Sequence, residues 1–403
     1  MGRFIVIVLD SFAVGAMEDV PEVRKQDIGS NTALHIIQNY PSINIPHLLK
    51  LGLMNAVGEE WGRFTFSETA NWGTSDLSHQ GADSFLGHQE IMGTIPPIPY
   101  NAPFSESIDQ VKSHLEDNGY TVEKVGAEDE PNILVVNDCV TVGDNLETDL
   151  GQVYNVSGAL DFISFEDLTT IGKTVREVVK VSRVITFGGK GMDLTNLLKA
   201  RKVIDGTYAG VDAPESGVYD EGYQVIHLGY GINPNVQVPT ILDSNGIDVA
   251  LVGKVADIVQ TESDRLYPGV DSQTLFDRLL EQVDEIEHGF LCLNIQETDL
   301  AGHGEDVERY ADRLEVSDKN IGLLIEKLTK EDILIIMADH GNDPTIGHSQ
   351  HTRERVPLLI YSEGIENNHI GNRKTLSDIA ATVSDYFDVK KPANGESFLN
   401  LIQ

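Results

Sequence analysis

Phe4 to Leu9 is an unbroken apolar run that ends on Asp10 and passes into Ser11-Phe12-Ala13-Val14-Gly15. A strand covered by helices on both faces reads this way, because a parallel sheet has no solvated side to impose alternation. Asp10 is thereby expected at the carboxyl end of a strand. Asp332-Ile333-Leu334-Ile335-Ile336-Met337 repeats the pattern and opens into Ala338-Asp339-His340-Gly341-Asn342-Asp343. Val249 to Val252, Gly289 to Asn294 and Val356 to Tyr361 are further runs of the same kind, with helical periodicity between them at 273 to 285, 306 to 328 and 375 to 387. This alternation predicts a doubly wound α/β sheet.

From about 100 to 230 the texture changes. The stretch opens on Pro96-Pro97-Ile98-Pro99, carries turns such as Gly143-Asp144-Asn145, and holds several short strand candidates. With 403 residues the chain exceeds what one hydrophobic core usually organises. The expected organisation is a discontinuous core, 1–100 with 231–403, interrupted by a smaller α/β cap, 101–230, lying over the site.

Composition narrows the function. A formal net charge of −35 disfavours nucleic acid and anionic membrane surfaces as partners. It would also repel a phosphorylated substrate unless local cations reverse the field inside the site. The apolar run at the N-terminus is too short for a signal-peptide core or a membrane span. The two cysteines, Cys139 and Cys292, show no metal-thiolate or disulfide spacing, which fits a reducing cytoplasm.

The candidate chemistry sits at the predicted strand ends, where open α/β sheets gather their ligands. Asp299-Leu300-Ala301-Gly302-His303 spaces a carboxylate and an imidazole by one helical turn, so that both can grip one ion. Asp339 and His340 are adjacent at a strand tip and can diverge towards two ions, while His351 follows after a short loop. Carboxylate and imidazole ligands without thiolate suit manganese, zinc or magnesium, and two such ions can clamp a phosphoryl group. Taken singly, Asp10 could cap a turn, the Asp299–His303 pair could be a solvated helix face, and His351 could be a surface histidine.

Ser84, in Gly81-Ala82-Asp83-Ser84-Phe85-Leu86-Gly87-His88-Gln89-Glu90, is the candidate nucleophile. A helix starting there would aim free amide groups and its positive end at a phosphate. The alternative is that Asp83 or Ser84 only caps that helix.

These residues resemble the phosphopentomutases of the alkaline phosphatase superfamily. Residues 81 to 93 resemble the family segment Gly-Lys-Asp-Thr-x-x-Gly-His-Trp-Glu-x-x-Gly, whose threonine is phosphorylated. Gly-Asn-Asp-Pro-Thr, followed by His351-Thr352-Arg353-Glu354 and Val356-Pro357, is similar to its metal segment. Leu251-Val252-Gly253-Lys254 resembles the strand and lysine before its catalytic helix.

The resemblance implies an alkaline phosphatase-like core with a phosphopentomutase-like cap and two divalent ions, manganese first, with magnesium or zinc as alternatives. Asp10, Ser84, Asp339 and His340 would face one ion, and Asp299, His303 and His351 the other. Phosphorylated Ser84 would pass its phosphoryl group between the 1- and 5-positions of ribose or deoxyribose phosphate through a sugar bisphosphate. Lys254, with Arg201 and Lys202, is a candidate contact to substrate phosphate.

The sequence departs from the family in five places. Serine stands for threonine at 84, Ala82 for lysine and Gln89 for tryptophan, and Ser182 to Gly189 is not followed by the family's phosphate-binding arginine. The four-residue spacing of Asp299 and His303 is instead similar to that of cofactor-independent phosphoglycerate mutases, which also use a serine. A phosphomutase for another small phosphorylated molecule, a metal-dependent phosphatase or phosphodiesterase, and a catalytically silent binding protein are the other readings.

Overall fold

The computed structural model describes residues 2–95, 97–127, 129–147 and 150–403. Pro96, the first residue of the proline cluster, lies outside them. The chain divides into two compact units, Met1–Pro96 with Asn233–Gln403, and Pro97–Ile232. Strands β1 (Arg3–Leu9) and β2 (Asn71–Ser75) precede the second unit. It contains β3 (Val122–Val125), β4 (Ile133–Val136), β5 (Val140–Asp144), β6 (Val153–Ala159), β7 (Arg183–Gly189), β8 (Arg201–Ile204), β9 (Tyr208–Val211) and β10 (Gln224–Gly229). Strands β11 (Asp248–Val252), β12 (Arg265–Tyr267), β13 (Gly289–Ile295), β14 (Ile333–Met337), β15 (Val356–Ser362) and β16 (His369–Arg373) follow it.

The first unit is built on a sheet in the order β12-β11-β13-β1-β14-β15-β2-β16. Strands β12, β11, β13, β1 and β14 pair in parallel, and every residue of β1 from Phe4 to Leu9 has no solvent exposure. That burial on both faces is why the strand reads as a continuous apolar run. The helices Ser272–Glu285 and Val307–Ile325 pack on one another, as Ser377–Tyr386 does on Ser84–Ile91. The first two and Ser377–Tyr386 lie where periodicity places helices.

Strand β15 departs from the parallel reading, because it runs antiparallel to both β14 and β2. A parallel partner needs a crossover helix, and the chain between β14 and β15 has none; it returns as a loop. Strands β2 and β16 were not anticipated. Asn71-Trp72-Gly73-Thr74-Ser75 and His369-Ile370-Gly371-Asn372-Arg373 carry no apolar run; β16 is the edge strand of the sheet and β2 lies next to it, between β15 and β16.

The second unit is α/β as well. Its sheet runs β10-β7-β6-β5-β4-β3, with β6 and β7 parallel and the other neighbours antiparallel. The parallel pair is linked by the helix Phe165–Val178, whose Leu168, Ile171 and Val175 share a core with Val111 and Leu115 of the helix Phe104–Asp117. The hairpin β8–β9 contributes Ala209 and Val211 to a second core with Ile133 and Phe187.

Candidate metal centre

Sheet register brings the first carboxylates together. Val8 pairs with Met337 on one side and with Asn294 on the other. Asp10 and Asp339, each two residues further on, therefore emerge at the same height and on the same face, and Asn294 lies one step below. Asn294 Nδ2 donates to Asp10 Oδ2 at 3.1 Å, and Lys254 Nζ lies 2.9 Å from the same oxygen. Asp10, Asp339 and His340 form one group whose ligand-type atoms all lie within 4.8 Å of one another, with all three residues buried.

Ser84 joins this group from the helix Ser84–Ile91. Asp83 is its N-cap and accepts from the Leu86 amide at 2.8 Å, so the capping reading holds for Asp83 and leaves Ser84 in the first turn. Ser84 Oγ donates to Asp339 Oδ2 at 2.6 Å, and the Ser11 amide donates to Asp339 Oδ1 at 3.1 Å. Gly87 permits this approach, since a Cβ there would lie 2.7 Å from the Asp339 carbonyl oxygen.

Asp299, His303 and His351 form the second group, again within 4.8 Å. The helix Glu297–His303 turns Asp299 Oδ2 to 3.3 Å from His303 Nε2. The loop after β14 folds back through paired backbone hydrogen bonds between Gly341 and Thr352, which returns His351 to the site. Its ring stacks on His340 with 3.9 Å between centroids. Asn342 Nδ2 donates to Asp299 Oδ1 at 2.9 Å.

The histidines share one arrangement. His303 Nδ1 donates to the Ser349 carbonyl (2.6 Å), His340 Nδ1 to Gly341 (2.9 Å) and His351 Nδ1 to Ala82 (2.8 Å). Each ring, when neutral, then directs an Nε2 lone pair into the site, as metal-ligating histidines do when a backbone carbonyl fixes the tautomer. The Nε2 atoms of His303 and His351 face each other at 3.0 Å, and His340 Nε2 faces Asp10 Oδ1 at 3.5 Å. Neither of the last two atoms has a hydrogen-bond partner, although both are buried. Lone pairs so opposed are stable only with a proton or a cation among them, and the donor set therefore fits divalent metal ions.

Ionisation follows the same geometry. Burial, then repulsion from Asp339, pushes Asp10 up to about 7. Burial also opposes ionisation of Asp339, but His340 and His88 hold its carboxyl well below the usual range. Burial draws His340 down to about 4, which keeps the ring neutral and its lone pair available. His351, despite burial, is raised to about 9 by the Asp299 carboxylate, a measure of the negative field at the second group.

His88, Asn294 and Asn342 touch these groups but were not singled out from the sequence. His88 Nδ1 lies 3.2 Å from Asp339 Oδ2 and 2.9 Å from the Ser84 carbonyl. Its position four residues after Ser84 in a predicted helix was the available signal. Lys254 engages Asp10, whereas Arg201 and Lys202 lie in the second unit. There Arg201 donates to the Pro131 carbonyl at 2.7 Å, and Lys202 pairs with Asp212 and Glu215.

The metalloenzyme superfamily model matches residues 2–391. A phosphopentomutase of Acetivibrio thermocellus is 31% identical over 417 residues, covering the whole of both chains. Among solved structures, the PH0037 protein of Pyrococcus horikoshii aligns with a TM-score of 0.47 at 16% identity, over 96% of this chain and 97% of that one. Phosphoglycerate mutase of Leishmania mexicana aligns with a TM-score of 0.46 at 11% identity, over 98% and 97%. The chain belongs to the metalloenzyme superfamily and is, within it, a phosphopentomutase-like, metal-dependent phosphotransferase.

Proposed function

We propose that this enzyme interconverts the 1- and 5-phosphates of ribose and deoxyribose, with Ser84 as the group that carries the phosphoryl. The observation that carries the reading is the placement of Ser84 Oγ in the first turn of a helix, 2.6 Å from Asp339 and beside the Asp10–His340 pair. The phosphoserine Oγ–P bond breaks as the sugar hydroxyl oxygen forms its own bond to phosphorus, and the hydroxyl proton passes to the freed Ser84 oxygen, giving a sugar bisphosphate. The bisphosphate then returns its other phosphoryl group to Ser84.

Asp10, Ser84, Asp339 and His340 would hold one divalent ion and Asp299, His303 and His351 the other, with manganese the first choice. When bound, such ions neutralise the phosphoryl charge and acidify the serine hydroxyl. The chain supplies the rest. Asp339 orients the Ser84 hydroxyl, the positive end of the helix Ser84–Ile91 favours a phosphate at Ser84, and Lys254 offers an ammonium beside Asp10 for a phosphate oxygen. The unit 97–232 is assigned to substrate selection. Two buried free cysteines accord with work in the cytoplasm, in pentose and nucleoside phosphate metabolism.

The test is intact-mass and peptide-map analysis of manganese-loaded protein after incubation with ribose 5-phosphate and a trace of sugar bisphosphate, alongside an assay for ribose 1-phosphate. Phosphate on Ser84 with interconversion, both lost in Ser84→Ala, is the expected result. Phosphate on Ser84 without interconversion would move the substrate to another phosphorylated molecule. Release of inorganic phosphate from an unmodified Ser84 would point to a phosphatase.

A further inference from the structure

The segment 76–83 that leads to Ser84 has no regular secondary structure, so its backbone groups must find partners elsewhere. Two side chains, Arg353 and Glu90, take five of them. Arg353 has 6% relative exposure, and its five N–H donors are all engaged. Nη1 donates to the carbonyls of His79 (2.8 Å) and Gly81 (2.7 Å), Nη2 to that of Leu77 (3.1 Å), and Nε to the Asp19 carboxylate (3.0 Å). Nη2 also lies 2.9 Å from Asp19 Oδ2. From the other direction, Glu90 accepts the amides of Ser78 (3.0 Å) and His79 (2.9 Å) and pairs with His79 Nδ1 at 2.7 Å.

Three alternate carbonyls thus converge on one guanidinium, which stands two residues after His351. His351 itself takes the next carbonyl in the row, that of Ala82. The strap that ends at Ser84 is therefore tied to the same loop that carries a ligand candidate of the second group. We propose that Arg353 is the positioning residue for Ser84: its planar fork fixes the strap, and with it the place of Ser84 Oγ beside Asp339. The proposal rests on the reading of Ser84 as phosphoryl carrier. A lysine would keep the charge and could pair with Asp19, but one ammonium cannot reach three carbonyls and a carboxylate in a plane.

The experiment compares full-length, manganese-loaded wild type, Arg353→Lys and Asp19→Asn. For each, metal content, thermal midpoint, kcat, KM and the ratio of inorganic phosphate released to sugar phosphate isomerised are measured. Arg353→Lys is expected to lose about 10²-fold in kcat, the scale of an ångström-sized misplacement of a reacting group. KM and metal content should stay near wild type, and the released-phosphate ratio should rise, because a loosened serine meets water as well as sugar.

A folded Arg353→Lys within about threefold of wild-type kcat would overturn the proposal. So would a kcat loss that merely tracks lost metal. Should Arg353→Lys not fold, Asp19→Asn decides. It keeps the guanidinium but weakens its anchor at a side chain with 39% exposure, and a loss of about tenfold in kcat is expected. Wild-type kcat in Asp19→Asn would then overturn the proposal. Wild-type enzyme that turns over without phosphate ever appearing on Ser84 would overturn the serine assignment itself.

Discussion

Asp10 Oδ1 and His340 Nε2 face each other at 3.5 Å, buried and without hydrogen-bond partners. Two acceptors in that position repel unless something positive lies near, and Lys254 already serves the other Asp10 oxygen. Asp10→Asn keeps the size of the side chain but removes the charge. It is expected to lose about one of two bound metal ions, measured by elemental analysis, and to reduce kcat by about 10³-fold, since a metal supplies several kcal/mol of transition-state charge stabilisation. Full metal content with wild-type turnover would remove Asp10 from the site. The candidates Asp10, Asp299, Asp339 and His340 were legible because titratable groups stand directly after apolar strands or on a helix that begins there, and such placement costs stability unless they are partnered. Asn294 was not legible. It is the sixth residue of an apolar strand, and only its register opposite Val8 turns it towards Asp10. Arg353 and Glu90 were hidden for a similar reason, because their partners are backbone atoms that sequence does not mark.

At the scale of elements, strands buried on both faces announced themselves, and the last two at the β16 end of the sheet did not. Gly289–Ile295 and Ile333–Met337 carry enough apolar surface to be seen in isolation, whereas β2 gains its place only by pairing with β15 and β16. The direction of β15 was equally invisible, since a run of apolar residues has no polarity. In the second unit the end of β5 carries Asp144, which accepts the amides of Phe104 (2.8 Å) and Ala209 (2.9 Å). Burial pushes this carboxyl up to about 6 from 3.8, against the pull of those two amides. Its folded form therefore binds a proton more tightly than its unfolded form. The sign follows: stability from this group is fully present below its unfolded value and is lost as pH rises through about 6. Roughly 1 kcal/mol of unfolding free energy should be gained between pH 7 and pH 5 from this residue. Asp144→Asn should flatten that part of the pH dependence in urea unfolding followed by tyrosine fluorescence. An unchanged difference between the two pH values would show that Asp144 is ionised in the folded protein throughout.

At the scale of the whole molecule, 64 acidic residues against 29 basic ones leave an excess that nothing in the fold neutralises wholesale. No helix among the described residues is long and apolar enough to cross a membrane. The excess is most consequential where Asp10, Asp299 and Asp339 lie buried, because like charges taken out of water repel strongly. Metal ions bound there would stabilise the folded chain alone, and each adds about 4 kcal/mol when present at a thousand times its dissociation constant. Chelation at constant ionic strength is therefore expected to lower the thermal midpoint by roughly 5–15 °C, and manganese, but not an equivalent of sodium, should restore it. In Asp10→Asn the chelator-induced shift should shrink by about half, since one group would already be empty. A general effect of salt on the acidic surface would act on the variant and the wild type alike, and would appear with any cation. Equal shifts in the two proteins would therefore assign the stabilisation to surface screening and count against both ligand groups.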